Sequence, residues 1–519
     1  MGQQIVKKTV IIQIFIFEIS NTLKIFVYFN LINDKKNMKK TTHFISIFLV
    51  FAFVMSCSRH EYPTTNSELT REYYKKGEES RLQLYYRNAL NYYLHAFELD
   101  SSFALAAMKS AQMYLIFGIE DSGTFYFNKA HQLSDQIPDV ERLVIDYYWS
   151  EFNSNEKRMS VLADSLTVLC PENFDVRIID AYTKWRKLQY EDARKSFQKI
   201  LRDYPNYIIA YNNIGYLYAN DGLFKEAVDN LEKYKRYAAN QLNPYDSLAE
   251  IYIAIGRYYE AIHTLEYLLE NRHDDVIQNE FIGTMIYVRI AFAYRKLGQY
   301  QKALEYLQQA EQLFSSNYSI SRIYLNRFNI YRELEQVDQM EKVLTSLKRK
   351  ITANEFTYQT AVLHIMKNEY DQVLEILDRY KTTDGPKKKS SREILITNAA
   401  IEGELNLKTG LYAEAAEQFK LAAETYFDNL NSTDLRIKEY ISLGSAADYS
   451  VAINGLRQQI KVNPNCPLAL IYASEYYIKS GKKSEAFAYI SHFLNLWEDA
   501  DPGTPLLTHA RSILAELNQ

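Results

Sequence analysis

Polar and aromatic side chains at four-residue spacing are the groups of this chain best suited to chemistry. Asn212, Tyr216 and Asn220 follow one another at i, i+4 and i+8, so on a helix they share one face. Amide and phenol groups donate and accept hydrogen bonds, which suits recognition of an extended peptide backbone. Ordinary polar exposure on a surface helix is the alternative, and the spacing alone leaves both open.

Catalytic groups do not form a recognisable motif. The sequence contains no HExxH, GxSxG, Walker-type or CxxC pattern. His263 has Glu266 three residues later, but this pair is expected at the surface, and no set of nucleophile, base and orienting group emerges. We therefore expect no enzyme activity, no catalytic residue, no metal site and no cofactor.

Composition and charge favour a helical protein that does not bind nucleic acid. The 519 residues include only 16 Gly and 10 Pro, the two residues that most damage helix interiors. Residues 1–56 hold seven Lys against Glu18 and Asp34, a net of +5, which leaves −9 for the remainder of a chain whose total is −4. Phosphate binding needs a basic stripe, so an acidic body argues against nucleic acid as the main ligand.

A small residue recurs at a fixed interval and opens the same kind of segment each time. Ala193, Ala227 and Ala261 are 34 residues apart, and a large apolar residue follows each of them four positions later. The same pattern, a small residue with a large apolar residue four positions later, begins at Ala89, Gly123, Ala303, Ala415, Ala452 and Ala486. A period between about 20 and 50 residues indicates a solenoid of stacked units. Each unit of a solenoid is expected to contact only its neighbours.

The unit at residues 211–234 resembles the tetratricopeptide repeat. The residues that match this family's pattern are Tyr211, Ile214, Gly215 and Tyr218 on a first helix and Ala227, Leu231 and Tyr234 on a second. The resemblance implies an all-α fold over residues 68–498, a right-handed α-α superhelix of about twelve helical hairpins. Gly215 and Ala227 are expected where the two helices of a hairpin cross closely.

The repeats and the local composition divide the chain into segments. We expect a tether at residues 57–67, a front block of repeats at 68–380 and a back block at 393–498. Between the blocks, residues 381–392 (KTTDGPKKKSSR) predict a basic flexible linker. A final helix at 504–519 is expected to cap the array, because the last unit has no neighbour to cover it.

The resemblance also assigns the polar ladder to a binding surface, because the first helices of this family line a concave groove. The implied groove residues are Asn212, Tyr216 and Asn220 in one unit, Asp246 and Glu250 in the next, and Phe292 and Arg295 in the one after. Relatives that bind an acidic peptide C-terminus use a Lys and Asn clamp, which Asn212 and Tyr216 do not reproduce. Recognition of such a carboxylate is therefore not implied.

The front of the chain resembles a bacterial lipoprotein signal peptide at residues 38–56. A basic start at Met38 precedes an apolar stretch at 44–55, which is too short to span a bilayer comfortably. The stretch ends in VMSC, which is similar to the lipobox. This resemblance implies that the Cys57 thiol receives a diacylglycerol group and that the signal is then cut before Cys57. Ser58 in place of Asp implies the outer membrane, with the side that the body faces left open.

Residues 1–37 precede the better start at Met38, and we interpret them as an over-extended N-terminus. The alternative is a genuine apolar helix from Val10 to Ile32, interrupted by Glu18 and Lys24. Sequencing the amino terminus of the precursor distinguishes the two interpretations.

The predicted function is that of a non-catalytic scaffold, held to the cell envelope by lipid at Cys57, that binds another protein or peptide. One alternative is a SusD-like outer-membrane lipoprotein that captures glycans or nutrients. That class carries Trp- and Gly-rich loops, whereas this chain has only Trp149, Trp185 and Trp497. A factor for envelope assembly is the other alternative.

A Cys57→Ala variant tests the lipid anchor. Without the thiol no diacylglycerol can be attached, so we expect the lipoprotein signal peptidase to leave the precursor at full length. Metabolic labelling with a fatty acid, together with the size of the membrane-bound protein, measures this. Normal maturation and labelling of the variant would contradict the prediction.

Overall fold

A computed structural model of the protein describes residues 63–519, apart from 66, 83, 118, 348–352, 383–390 and 427–428. The over-extended segment 1–37, the signal peptide with Cys57, most of the tether and most of the linker at 381–392 lie outside these residues. The chain divides into two units, residues 1–64 and residues 65–519, and nearly all described residues belong to the second.

The described residues contain 26 α-helices and no β-strand, which confirms the predicted all-α class. In chain order they are α1 (Glu68–Leu82), α2 (Tyr86–Leu99), α3 (Ala104–Ile116), α4 (Glu120–Leu133), α5 (Asp139–Phe152), α6 (Glu156–Leu169), α7 (Phe174–Arg186), α8 (Tyr190–Asp203), α9 (Ile209–Asn220), α10 (Phe224–Tyr237), α11 (Asn243–Ala254), α12 (Tyr258–Asn271), α13 (His273–Gln278), α14 (Glu280–Lys296), α15 (Tyr300–Leu313), α16 (Asn317–Glu333), α17 (Val337–Leu347), α18 (Ala353–Met366), α19 (Tyr370–Thr382), α20 (Ser391–Thr409), α21 (Tyr412–Thr425), α22 (Asn429–Ser445), α23 (Tyr449–Val462), α24 (Pro467–Lys479), α25 (Lys483–Leu496) and α26 (Pro505–Leu517). A 3₁₀ turn, Ser134–Gln136, follows α4. Within this part of the chain, no helix is long and apolar enough to cross a bilayer.

Consecutive helices pack as antiparallel hairpins, and each hairpin packs on the next along the chain. The hairpins are α1–α2, α3–α4, α5–α6, α7–α8, α9–α10, α11–α12, α14–α15, α16–α17, α18–α19, α20–α21, α22–α23 and α24–α25. The short helix α13 lies in the lengthened connection before α14, and α26 packs on α24 and α25.

Small residues set the distance between the two helices of a hairpin. A Cβ atom on Gly215 would lie 2.8 Å from Cγ of Leu231 on the facing helix, closer than side chains approach. Ala227, on that same facing helix, is completely buried. Gly222 ends the turn between the helices at φ +74°, a left-handed conformation that glycine adopts without strain. The predicted close crossing is therefore present.

The hairpins near the end of the chain pack against the turns of hairpins in the middle. The Asn465 side chain donates to the carbonyl of Gly256 at 2.9 Å, and the Asn463 amide donates to the Tyr258 hydroxyl at 3.2 Å. A Cβ atom on Gly256 would lie 2.2 Å from Asn463 Oδ1, so this turn needs glycine for space as well as for its φ of +77°.

Trp497, just after α25, makes a second contact between the end of the described chain and the middle hairpins. Its indole Nε1 donates to the Lys296 carbonyl at 2.9 Å, and its ring meets Tyr300 edge to face at 6.2 Å. The backbone N–H of Asp501 donates to the Gly298 carbonyl at 3.0 Å. The expectation that each hairpin touches only its neighbours is therefore wrong, because the array winds back far enough for its last hairpins to cover the turns after α11 and α14.

A buried ion cluster also joins the front and back repeats. Glu404 on α20 accepts hydrogen bonds from Arg332 at 2.7 Å and from the Tyr358 hydroxyl at 2.9 Å, and it pairs with Lys438. Burial opposes ionisation of Glu404, but the charges of Arg332 and Lys438 hold its pKa well below the usual range. These contacts connect helices on both sides of the predicted linker.

The contact made by Trp497 predicts a large effect of its removal on stability. Trp497→Ala empties a site between two distant hairpins, and we expect the free energy of unfolding to fall by about 3–5 kcal/mol. Phe487→Ala is the matched control, because Phe487 lies on the same final hairpin with 52% of its surface exposed. Chemical denaturation measures both variants, and equal losses would contradict a specific role for Trp497.

Candidate functional site

A cavity of about 670 Å³ is lined by residues of four successive hairpins, α5–α6 to α11–α12. Its walls include Tyr147, Glu151, Glu156, Trp185, Arg186, Lys187, Tyr190, Tyr216, Asn220 and Glu250. The volume falls within the range of about 300–1,000 Å³ that ligand sites occupy. Three predicted groove residues, Tyr216, Asn220 and Glu250, therefore meet in one site.

The repeat register brings these three residues together. Tyr216 and Asn220 are one helical turn apart on α9. Glu250 on α11 is 34 residues after Tyr216, so it occupies the equivalent position in the next hairpin, and the Tyr216 hydroxyl donates a hydrogen bond to it. Burial is the main reason that the pKa of Tyr216 is raised well above its usual value, and the Glu250 charge adds to it.

An arginine organises the opposite wall. Arg186, at the end of α7, donates hydrogen bonds to the Tyr147 hydroxyl and to the Glu151 carboxylate on α5. Burial raises the pKa of Tyr147, against the opposing charge of Arg186. The Trp185 ring stacks almost parallel on Tyr182 at 6.1 Å between centroids, which holds the indole in place at the cavity.

A second arginine lies behind Glu250 and holds two carboxylates. Arg289 Nη2 donates to Glu250 at 2.9 Å, and Arg289 Nε donates to Asp246 at 2.7 Å. Burial raises the pKa of Asp246; Arg289 acts against the rise and Glu250 adds to it. Asp246 thus supports the site from behind and does not line the cavity.

The remaining predicted groove residues do not line the cavity. Asn212 is half-buried, and its Oδ1 has no hydrogen-bond partner among the described residues. The Arg295 guanidinium is buried, lies over the Phe292 ring at 4.6 Å and approaches Glu333 at 3.6 Å. Binding by Phe292 and Arg295 stays a prediction, and the contacts shown by these side chains are structural.

Sequence reasoning missed the wall formed by Tyr147, Glu151 and Arg186. The signal was present, because Tyr147 and Glu151 have the same four-residue spacing as Tyr216 and Asn220. The repeat pattern is weak around α5 and α6, so no register pointed to these residues. Arg186 is 34 residues before Asn220, so the repeat register carried a signal for it, and its hydrogen bond to the Tyr147 hydroxyl places it in this wall.

A second cavity, of about 330 Å³, shares Glu151 with the first and borders a buried ion network. Lys109, almost completely buried, donates to Asp175 at 2.9 Å and lies 3.5 Å from Glu78. Burial alone would raise the pKa of Glu78, but the charges of Arg81 and Lys109 and hydrogen bonds from Arg81 and Tyr93 lower it to about 2. Within the described ranges, no group of His, Cys, Asp and Glu could hold a metal ion.

Two segments of the chain match models of the tetratricopeptide repeat, residues 181–244 and residues 285–317. The first covers the last six residues of α7, all of α8 to α10 and the first two residues of α11, and the second covers most of α14 and all of α15. The matches support this repeat in the chain, and such repeats generally mediate contacts between proteins. A comparison with curated proteins finds no significant match.

Three solved structures that are similar to this chain share a low sequence identity with it. Tom70 from yeast is 14% identical, with 87% of this chain and 96% of that chain covered and a TM-score of 0.34. A tetratricopeptide repeat protein from Parabacteroides merdae is 15% identical, covers 51% and 98% of the two chains, and has a TM-score of 0.37. The Cut9–Hcn1 hetero-tetramer is 10% identical, covers 87% and 97%, and has a TM-score of 0.32.

The ion network around Glu78 predicts a pH dependence of stability. Because folding lowers the Glu78 pKa from 4.5 to about 2, its contribution is present above pH 4.5 and is lost as the pH falls toward 2. Glu78→Gln is expected to destabilise the protein at pH 7, with a difference from wild type that shrinks across this window. Denaturation at several pH values measures it, with exposed Glu79→Gln as the control; a constant difference would contradict the prediction.

Proposed function

We propose that this protein is a non-catalytic scaffold that binds an extended segment of another protein in the larger cavity. Tetratricopeptide repeats generally act through protein contacts, which supports a protein as the ligand. The observation that carries the proposal is the meeting of Tyr216, Asn220 and Glu250 with a second wall from α5 and α7.

The chemistry of the walls suits a peptide. Trp185, Tyr190 and Tyr216 offer apolar ring surface, while Asn220 and Arg186 offer donors and acceptors at separate points of the cavity. An extended segment needs both, because its side chains bury apolar area while its backbone amides require hydrogen-bond partners. Tyr216 and Asn220, two of the three residues of the predicted ladder, thus act together with the facing wall.

The proposal includes a lipid anchor at Cys57. The lipobox and the preceding basic and apolar stretches at 38–56 support it, and Ser58 favours the outer membrane. Several buried acyl chains would make the attachment durable, since each methylene contributes about 0.8 kcal/mol. Start of translation at Met38 and right-handed winding of the hairpins belong to the same proposal.

A photo-crosslinking amino acid tests the cavity as the partner site. p-Benzoylphenylalanine replaces Tyr190, which lines the cavity, and in a control it replaces Tyr237, which is 63% exposed and does not line it. After irradiation of membranes from the producing cells, we expect a polypeptide adduct at Tyr190 and none, or a different one, at Tyr237. Mass spectrometry identifies the adducts.

Two results would contradict the proposed function. The same adducts at both positions would show that the cavity is not the specific site. Saturable binding of a saccharide in a glycan array, competing with the Tyr190 adduct, would instead favour the glycan-binding alternative.

A further inference from the structure

The cluster behind the cavity holds more negative than positive charge. Asp246 and Glu250 share the single guanidinium of Arg289, and in the described part of the chain neither carboxylate pairs with a second cation. The site thus contains two carboxylates and one compensating cation. Such a surplus is costly where water is scarce, since charges interact more strongly in a low dielectric.

The excess negative charge of this cluster reaches the cavity through Glu250. The Asp246 side chain is only 10% exposed and does not line the cavity, whereas the Glu250 side chain is 38% exposed and forms part of the wall. Across the cavity, Glu156 adds a further exposed carboxylate. A ligand therefore meets negative charge on two sides.

The cations of the cavity wall are already engaged. Arg186 is held by Glu151 and by the Tyr147 hydroxyl. Lys187 lies 3.5 Å from Asp164. Among the described residues neither cation forms an ion pair with Glu250, so a cation carried by the ligand would supply the missing charge.

Aromatic rings that line the same cavity as Glu250 suit the same ligand. Trp185, Tyr190 and Tyr216 all line the cavity, and one face of Trp185 is packed on Tyr182. The faces of aromatic rings carry negative potential and attract ammonium and guanidinium groups, Trp most strongly. Carboxylate and ring faces together select a cation that carries an apolar stem, as Lys and Arg side chains do.

We infer that the cavity takes a basic side chain of the bound segment, Arg or Lys, with its cation at Glu250 and its stem against the aromatic wall. A second guanidinium or ammonium would bring the cluster to two cations for two carboxylates. The inference rests on the proposed function, because it names the chemistry of the segment bound there. The inference also distinguishes this site from repeats that bind an acidic peptide C-terminus, because Glu250 would repel the terminal carboxylate of such a peptide.

A random decapeptide display library, selected on the mature chain, tests the inference. We expect Arg or Lys to be enriched at one position of the selected peptides. Replacing that residue by citrulline, or by glutamine for Lys, removes the charge and keeps much of the shape. Titration calorimetry is expected to show roughly tenfold weaker binding of the neutral peptide, as for loss of a charge-assisted hydrogen bond.

The Glu250→Gln variant tests whether Glu250 causes the preference for the charged peptide over the neutral one. Glutamine keeps the size and can still accept the Tyr216 hydrogen bond, so the fold is expected to persist; thermal melting checks it. We expect the variant to lose most of the difference between the charged and neutral peptides. Glu226→Gln, which changes an exposed carboxylate outside the cavity, should retain that difference.

The outcomes separate this inference from the proposed function. Selected peptides without a basic residue, or an unchanged preference in Glu250→Gln, would overturn the inference and leave peptide binding intact. No selected peptides at all would overturn both. N-Acetylarginine amide binding as tightly as the selected peptide would overturn the inference by assigning the site to small cations.

Discussion

Close crossing of paired helices at small residues is the constraint on which the rest of the array depends. Gly215 leaves no space for a Cβ against Leu231, so the close crossing of α9 and α10 requires a small residue at this point of the register. The repetition of that register every 34 residues places Tyr216 opposite Glu250 in the following hairpin. The site is therefore a product of the repeat spacing and does not need a dedicated loop.

Regular features could be predicted from the sequence, whereas irregular contacts could not. The interval of 34 predicted helical hairpins, the small residues at crossings and three cavity residues, because each follows from a local period. The contacts of Asn463, Asn465 and Trp497 with turns about 200 residues away obey no period. In the same packing the Lys296 carbonyl accepts a hydrogen bond from Trp497, next to the predicted groove residue Arg295.

Weak repeats limited the prediction of the site itself. Most of the cavity wall comes from α5 to α7, where the repeat pattern is weak around Tyr147 and where Arg186 matches it only through its interval of 34 from Asn220. Their role becomes visible only through the hydrogen bonds that Arg186 makes to α5. The pairing of Arg289 with Asp246 and Glu250 could not be predicted from the sequence either, since Arg289 and Asp246 are 43 residues apart.

The contact between Trp497 and Lys296 has a consequence for how the protein folds while the ribosome synthesises it. Early hairpins can form as they emerge, because their partners are adjacent in the chain. The turns after α11 and α14, however, wait for residues synthesised about 200 positions later. Contacts of such sequence separation form slowly, so the nascent chain carries an uncovered surface until those later residues have emerged.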